Sequence, residues 1–393
     1  MIGTLILAIV SAVGVVLTTT QTVLAVLFRR RSRFFGSGLR GQAEPTRFPR
    51  AASRRPLVSI LKPVCGLEDE LRENLESFVD LHGIDYEVLL SVADPHDPAL
   101  AVIDEVLRAH PRAPFRLVIG GDPRLERTNR KIARLVAAEP HARGEILFIS
   151  DANVRVEADA LAETIDAFTG RVGCVSNLFT GAGARSFGAT IESLHLLSFV
   201  APGAVLAAFA GQPCVVGKSM AVSRRALQAI GGFVRFAGVL AEDQAIGLAV
   251  REAGYDVQLS PRVVRNVVVQ RTLKRAVDRQ IRWNKIRYAF SKALYTSEFL
   301  ANPLPFALLA SLAGAPLGLV AAVLALRYVQ VALLARAMRA PLSLVQLAAV
   351  PVLDLCQFGA QFVPYFSDRV TWRGYTARIG PQTRLLAVTE RAA

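Results

Sequence analysis

The first 28 residues carry no charged side chain and are mostly apolar. A helix of that length spans the ~30 Å hydrocarbon core of a bilayer, so the rest of the chain has to fold beside a membrane anchor. No basic residue precedes the stretch and no small-x-small site follows it, which favours an anchor over a cleaved signal peptide. Arg29, Arg30, Arg31 and Arg33 come directly after it, with Arg54 and Arg55 further on. By the positive-inside rule these arginines put the downstream side in the cytoplasm, at the inner membrane. They also suit the anionic lipids of the inner leaflet, although a solvated basic linker accounts for most of the same charges. Residues 29–55 lack hydrophobic periodicity and read as a basic juxtamembrane linker.

The other end is apolar too. Residues 303–326 lack charge but contain Gly314, Pro316 and Gly318, the pattern of one broken span or a re-entrant hairpin. Residues 341–366 are a second candidate, with Asp354 and Gln357 inside it. Arg327, Arg336 and Arg339 lie between the two, where a plain two-span arrangement conflicts with the positive-inside rule. Apolar residues make up 52% of the chain and charged ones 20%, which fits a water-soluble middle between membrane-embedded ends. The tail 367–393 reads as cytoplasmic. A net charge of +14 directs a protein to nucleic acid, anionic lipid or anionic small molecules. Arginines placed against the anchor favour lipid and give no reason to expect nucleic acid. Cys65, Cys174, Cys214 and Cys356 are scattered, so neither a structural zinc site nor a disulfide framework is expected.

From residue 56 the pattern becomes α/β. Val58–Val64, Glu87–Ala93, Phe115–Ile119 and Glu145–Ser150 are short apolar runs bounded by breakers. Helical spacing separates them over Glu68–Leu81 and Ala99–Ala109. Such alternation predicts a mostly parallel sheet with helices on both faces. Ligands of these sheets bind beyond the carboxyl ends of the strands, and Lys62, Asp94 and Asp151 fall at or near such ends.

Several residues in this frame carry chemistry. Asp94, in Val-Ala-Asp-Pro-His-Asp-Pro, is placed to accept hydrogen bonds from a uracil ring or ribose, or simply to shape a turn. Asp151 and Asn153 offer hard oxygen donors at i, i+2, which suits Mg²⁺ or Mn²⁺ beside a diphosphate; the same residues make an Asx turn before a helix near Glu157. Lys62 and Lys131 are candidate nucleotide or phosphate contacts, each equally compatible with an ordinary surface lysine. Glu242 and Asp243 open an apolar helix. One carboxylate is needed to take the proton of an attacking hydroxyl, and Asp243 is the choice for that base. Acids at a helix N-terminus are also favoured by the dipole. Arg279, Arg282 and Trp283 share one face of a basic helix over about 273–294. There the arginines can hold a leaving diphosphate and the indole can wall an acceptor. The rest of that helix suits a membrane interface. His195 sits in the apolar helical stretch Ile191–Val200 and reads as a core or helix-surface histidine.

The ordered set Leu61-Lys-Pro63, Asp94 with Asp97-Pro98, Asp151, Val215-Val-Gly-Lys-Ser219, Ala241-Glu-Asp243 and Arg279-x-x-Arg-Trp283 resembles the ceramide glucosyltransferase family, including its bacterial hopanoid-associated relatives. The resemblance covers roughly residues 56–290 and the membrane ends. It implies a GT-A catalytic domain over 56–300, a UDP-sugar donor, a divalent metal and inversion at the anomeric carbon. It implies donor contacts at Asp94 and Asp151, a base at Asp243, and acceptor or diphosphate contacts around Gly217, Arg282 and Trp283. Animal ceramide enzymes carry a His-Pro pair where this chain reads Phe199-Val-Ala-Pro-Gly203. That departure, with Gly217-Lys-Ser-Met220, favours a hopanoid acceptor and N-acetylglucosamine over ceramide and glucose. Two rivals remain at this level. A processive polysaccharide synthase shares the acidic and Arg-Trp features but needs more spans after the tryptophan. A non-enzymatic basic membrane protein has no use for acids at successive strand ends.

Overall fold

The computed structural model describes residues 1–30, 56–372 and 375–390. Most of the expected basic linker, with Arg31, Arg33, Arg54 and Arg55, lies outside the described residues. The chain forms two compact units. One comprises Arg31–Phe179 and Ala207–Val267; the other comprises Met1–Arg30, Thr180–Leu206 and Val268–Ala393.

The first unit is built on an eight-stranded sheet. Its strands are β1 (Val58–Pro63), β2 (Tyr86–Val92), β3 (Phe115–Ile119), β4 (Ile146–Ser150), β5 (Val154–Arg155), β6 (Val172–Ala182), β7 (Ser219–Ser223) and β8 (Asp256–Val267). They lie in the order β3-β2-β1-β4-β7-β6-β8-β5. The four strands legible in the sequence make the parallel half: β1 pairs in parallel with β2 and β4, and β2 with β3. β7 then runs antiparallel to β4, with Ser219 opposite Ser150. This pairing brings the segment before β7 to the carboxyl end of β4.

Both faces of the parallel half are covered, as the continuous apolar runs require. Val58, Ile60, Val88, Leu90, Ile146 and Phe148 pack into one core, while Leu61, Leu89, Leu147 and Ile149 pack into a second one on the other face. That is the two-residue alternation of side chains along a strand. The helix expected over Glu68–Leu81 is shorter, Leu71–Glu76, and that over Ala99–Ala109 stands as expected.

The second unit is helical. Ile2–Arg30, Phe187–Phe209, Leu317–Ala337 and Leu344–Phe366 are each long and apolar enough to cross a membrane. The broken span begins as a short helix, Pro303–Leu312, and stops at Gly314 with φ +100°. Pro316 then leads into Leu317–Ala337. The anchor packs closely on the short helix. A Cβ at Gly14 would sit 2.6 Å from the Leu300 carbonyl and 3.1 Å from Pro303, the close backbone approach that small residues permit between membrane helices. Ser343 and Gln346 form a reciprocal capping box at the start of Leu344–Phe366. A three-stranded antiparallel sheet, β9 (Arg369–Trp372), β10 (Tyr375–Ile379) and β11 (Leu385–Glu390), ends the described chain.

Arg327 is not in a loop between spans. It lies inside Leu317–Ala337, with its guanidinium on the Asp354 carboxylate at 2.9 Å through both Nε and Nη2. Gln330 accepts from the same guanidinium and donates to Thr18 and Thr19 of the anchor. Such a bidentate pair is strong and geometrically specific, and removing one partner strands a buried charge. Asp354→Leu is expected to destabilise the protein by about 3–5 kcal/mol, with Arg327→Leu/Asp354→Leu recovering most of the loss. Thermal unfolding in detergent measures both.

Candidate active site

The end of β4 and the loops beside it gather most of the acidic and basic residues singled out in the sequence. Asp151 follows β4 directly. Its carboxylate takes Lys131 on Oδ1 at 2.9 Å and Lys218 on Oδ2 at 3.0 Å. The Lys218 ammonium also donates to Asn153 Oδ1 at 2.9 Å. The i, i+2 oxygens of Asp151 and Asn153 therefore converge on one ammonium. Burial pushes the Asp151 carboxyl up, but Lys131 and then Lys218 overcome it and hold the group far below the ordinary aspartate range.

Lys131 reaches this point because Asn129 caps the Arg130–Ala138 helix, accepting from the Lys131 and Ile132 amides. The Lys131 Nζ also meets Glu242 Oε1 at 3.3 Å and donates to the Gly217 carbonyl at 2.8 Å. Burial would lower this ammonium; Asp151, Glu242 and Asp243, in that order, raise it above the ordinary lysine value. Asn129 Nδ2 donates to Glu242 Oε2 at 3.4 Å.

Glu242 and Asp243 begin the Glu242–Glu252 helix. Asp243 Oδ2 accepts the Gly217 amide at 2.5 Å, and Oδ1 accepts its neighbour Gln244 at 2.8 Å. Burial raises Glu242 above the ordinary glutamate range, against the pull of Lys131 and helped by the Asp243 charge. Asp243 is half-buried, so one of its edges stays within reach of a ligand. Two adjacent acids thus have different surroundings, one desolvated under Lys131 and one held by backbone amides at a helix start.

Gly217 sits between these groups. A Cβ there would lie 2.5 Å from Lys131 Nζ, 3.0 Å from Asp243 Cβ and 3.1 Å from Asp243 Oδ2. The lysine tip can move, so Gly217→Ala should fold. It should also dislodge Lys131 from Asp151 and Glu242 and lower the rate of the site's reaction by about 10²-fold, the effect of a misplacement near 1 Å. Turnover beside an unchanged circular-dichroism spectrum is the measurement.

Lys62 has a different setting from the one expected of a phosphate contact. Its side chain is fully buried under the Phe78 ring, 4.2 Å from the centroid. The ammonium donates to the Asp151 carbonyl at 2.9 Å and to Ser150 Oγ and the Val154 carbonyl at 3.4 Å. Burial lowers it to about 7, with Asp151 opposing. It braces the Asp151–Val154 turn from beneath. Asp94 is exposed in an Asx turn after β2, with Oδ1 on the His96 amide at 2.8 Å. The neighbouring Asp97 accepts from Gly66 and Ala99 and pins that loop.

Arg279, Arg282 and Trp283 belong to the other unit, on the Leu273–Phe290 helix, which is shorter than expected. Arg279 pairs with Glu192 and lies 4.6 Å over the Trp283 ring. Arg271 holds the same glutamate at 3.0 Å. The His195 ring is 6.1 Å from the Trp283 ring.

Lys218 and Asn129 are the residues of this site that sequence reasoning passed over. Lys218 stood in plain view inside Val215–Ser219, but its charge finds a role only when β7 is known to lie against β4. Asn129 carries the signature of an N-cap, an Asn just before a helical run.

The lysine also tests the expected metal. Two hard oxygens already converge on an ammonium, and one carboxylate with one amide is a set that Mg²⁺ or Mn²⁺ accepts when a diphosphate completes the shell. Among the described residues no group of three His, Cys, Asp or Glu forms a self-sufficient metal cage.

The model of glycosyl transferase family 21 matches residues 5–385. Ceramide glucosyltransferase 1 of Caenorhabditis elegans is 25% identical over 249 residues, covering 63% of this chain and 53% of that protein. The ceramide glucosyltransferase of Komagataella phaffii is 29% identical over 112 residues, 28% of this chain and 22% of its own. The chain spans about half the length, or less, of these curated relatives. Among solved structures, a mannosyltransferase from Pyrobaculum calidifontis in complex with GDP-Man and Mn²⁺ aligns with a TM-score of 0.48 at 18% identity, over 91% of this chain and 99% of that one.

Proposed function

The chain belongs to glycosyl transferase family 21, and from that premise we propose that it is a membrane-bound inverting transferase moving a single sugar from a UDP-sugar to a membrane lipid alcohol. One observation carries this reading: Asp151, Lys131, Lys218, Glu242 and Asp243 meet around Gly217 at the carboxyl end of β4. Diphosphate needs cations and an attacking hydroxyl needs a base, and both are present there.

Each residue then has a task. Asp243 takes the acceptor proton as the hydroxyl oxygen attacks the anomeric carbon, which inverts it. Glu242 stays beside Lys131 and fixes where that ammonium lies. Lys131 and Lys218 hold positive charge where a diphosphate leaves. Asp151 and Asn153 would hold Mg²⁺ or Mn²⁺, which when bound offsets the charge growing on the leaving group. Asp94 contacts the nucleoside, and Arg279, Arg282 and Trp283 serve the diphosphate and the acceptor. The domain layout follows from the same reading: an anchor over 1–28, a catalytic domain over 56–300 and a C-terminal membrane region. The catalytic face is cytoplasmic and apposed to the anionic inner leaflet.

N-acetylglucosamine on a polyhydroxylated hopanoid is the favoured pairing. Glucose on ceramide comes second, and the C. elegans and K. phaffii relatives favour it. The deciding experiment incubates the purified protein with Mg²⁺ or Mn²⁺, labelled UDP-glucose or UDP-N-acetylglucosamine, and ceramide or the hopanoid. A single labelled glycolipid identifies donor and acceptor together. A ladder of longer products would instead point to a processive synthase.

A further inference from the structure

Three helices of the helical unit bury polar faces. On Leu273–Phe290 the buried positions include Ala276, Gln280 and Asn284, one stripe at i, i+4, i+8. On Leu344–Phe366 they include Gln357 and Gln361, again at i, i+4. The Phe187–His195 helix ends in buried His195, and a π-helical turn over Leu196–Val200 follows. Such turns interrupt regular helix and recur at functional sites. Each of these five polar residues is at most 4% exposed.

These groups are connected but not satisfied. Gln357 donates to Asn284 Oδ1 at 3.3 Å and meets the His195 ring. Yet both ends of the Gln280 amide, Asn284 Nδ2 and Gln361 Oε1 are buried with no hydrogen-bond partner among the described residues. Side chains serving only as interhelical glue would pair with one another, because an unmet buried donor or acceptor costs about 1–3 kcal/mol. Unmet donors and acceptors lie side by side, which is the complement of hydroxyl groups.

The carboxylates around them already hold arginines. Glu192 faces Arg271 and Arg279, Arg287 faces Glu298 at 2.8 Å, and Arg327 faces Asp354. Gln280, Asn284, Gln357 and Gln361 themselves carry no charge to call for a phosphate or a carboxylate. We propose that His195, Gln280, Asn284, Gln357 and Gln361 form a seat for the headgroup of the lipid acceptor, and that the seat takes an uncharged headgroup with several hydroxyls. This rests on the lipid-transferase reading and adds to it the residues that read the acceptor. Ceramide and a polyhydroxylated hopanoid both offer this chemistry.

The test uses the full chain in detergent, as wild type, Gln280→Leu, Gln357→Leu and the double variant. Leucine removes the polar groups at similar volume, so the variants should melt at or above the wild-type temperature. The probes are ceramide, the hopanoid and a hydroxyl-free triterpene hydrocarbon, added without UDP-sugar. Wild type should be stabilised by one or both hydroxylated lipids and not by the hydrocarbon, and the more stabilising lipid is the acceptor class. The variants should lose that shift. Their KM for the acceptor should rise at least about 10-fold, with KM for UDP-sugar unchanged. Variants that melt lower and still respond to lipid would make these groups structural glue and overturn the proposal. A wild type stabilised by neither hydroxylated lipid would overturn it too. Lipid binding that the variants lose, with no transfer from any donor, would keep the seat and remove the transferase reading.

Discussion

Asp243→Asn should abolish sugar transfer, by about 10²–10⁴-fold in kcat, the range ascribed to a positioned general base. The fold should survive. Asparagine keeps a carbonyl oxygen to accept the Gly217 amide, which Asp243 Oδ2 now holds at 2.5 Å, and it stays at the start of the same helix. What is lost is the ability to take a proton. Asp243→Ala is a poorer test, because it also frees the Gly217 amide and lets the Val215–Ser219 segment relax. The companion variant Glu242→Gln separates the two acids. Burial already holds Glu242 toward its protonated form, so its neutral amide should cost far less rate than Asp243→Asn. Single-turnover transfer at saturating UDP-sugar, beside a thermal-unfolding midpoint, is the measurement. A larger loss for Glu242→Gln would move the base one residue upstream. Equal indifference to both would remove the enzymatic reading and leave a basic membrane protein.

Much of this arrangement is legible in the sequence. The alternation within Val58–Val64, Glu87–Ala93 and Glu145–Ser150 identifies strands buried on both faces, and the carboxyl-end rule then picks out Asp94 and Asp151. The pair Glu242-Asp243 stands where a helix begins. Lys62 shows where such reading stops. It shares the parity of Val58, Ile60 and Val64, all of which face the first core. The signal that it points inward was therefore present, but a lysine is rarely buried, and its acceptors are backbone carbonyls 89 and 92 residues away. Lys218 was hidden for a related reason: its place beside Asp151 depends on an antiparallel pairing between β4 and β7, which no local pattern encodes. Phe187–Phe209 does not stand out as a span in the sequence because Glu192, Ser193, His195 and Ser198 dilute its hydropathy. Glu192 is there because it meets Arg271 and Arg279, and the Ser198 hydroxyl is taken up by the Leu194 carbonyl of its own helix. The Arg327–Asp354 pair likewise turns two charges that confused the span count into a contact between two helices.

Lys131→Met is the second substitution with a large expected effect, and it acts on stability as well as rate. Lys131 Nζ touches Asp151, Glu242 and the Gly217 carbonyl at once. Its side chain is 20% exposed and that of Asp151 24%, so solvent screens the pair only in part. Removing the ammonium leaves Glu242 without its ion pair and Asp151 with Lys218 as its remaining ion-pair partner, and the expected loss is about 3–5 kcal/mol. Lys131→Arg restores charge but presents a planar fork where a tip meets three acceptors, so partial rescue is expected. The pH dependence identifies the cause. In the wild type Asp151 is held far below its ordinary value, so its contribution is complete above pH ~4, where the unfolded group is ionised, and declines as pH falls below that. Glu242 has the opposite sign: its folded value is raised, so its ionisation costs stability as pH rises from ~4 through the raised value. Without Lys131, Asp151 is less depressed and Glu242 is raised further. The deficit of Lys131→Met against wild type should therefore be widest near neutral pH and shrink in acid as both carboxyls become protonated. Chemical denaturation at a series of pH values reads this directly. A deficit that stayed constant with pH would mean that the lysine contributes packing and its Gly217 hydrogen bond, and that the two acids are balanced by other groups.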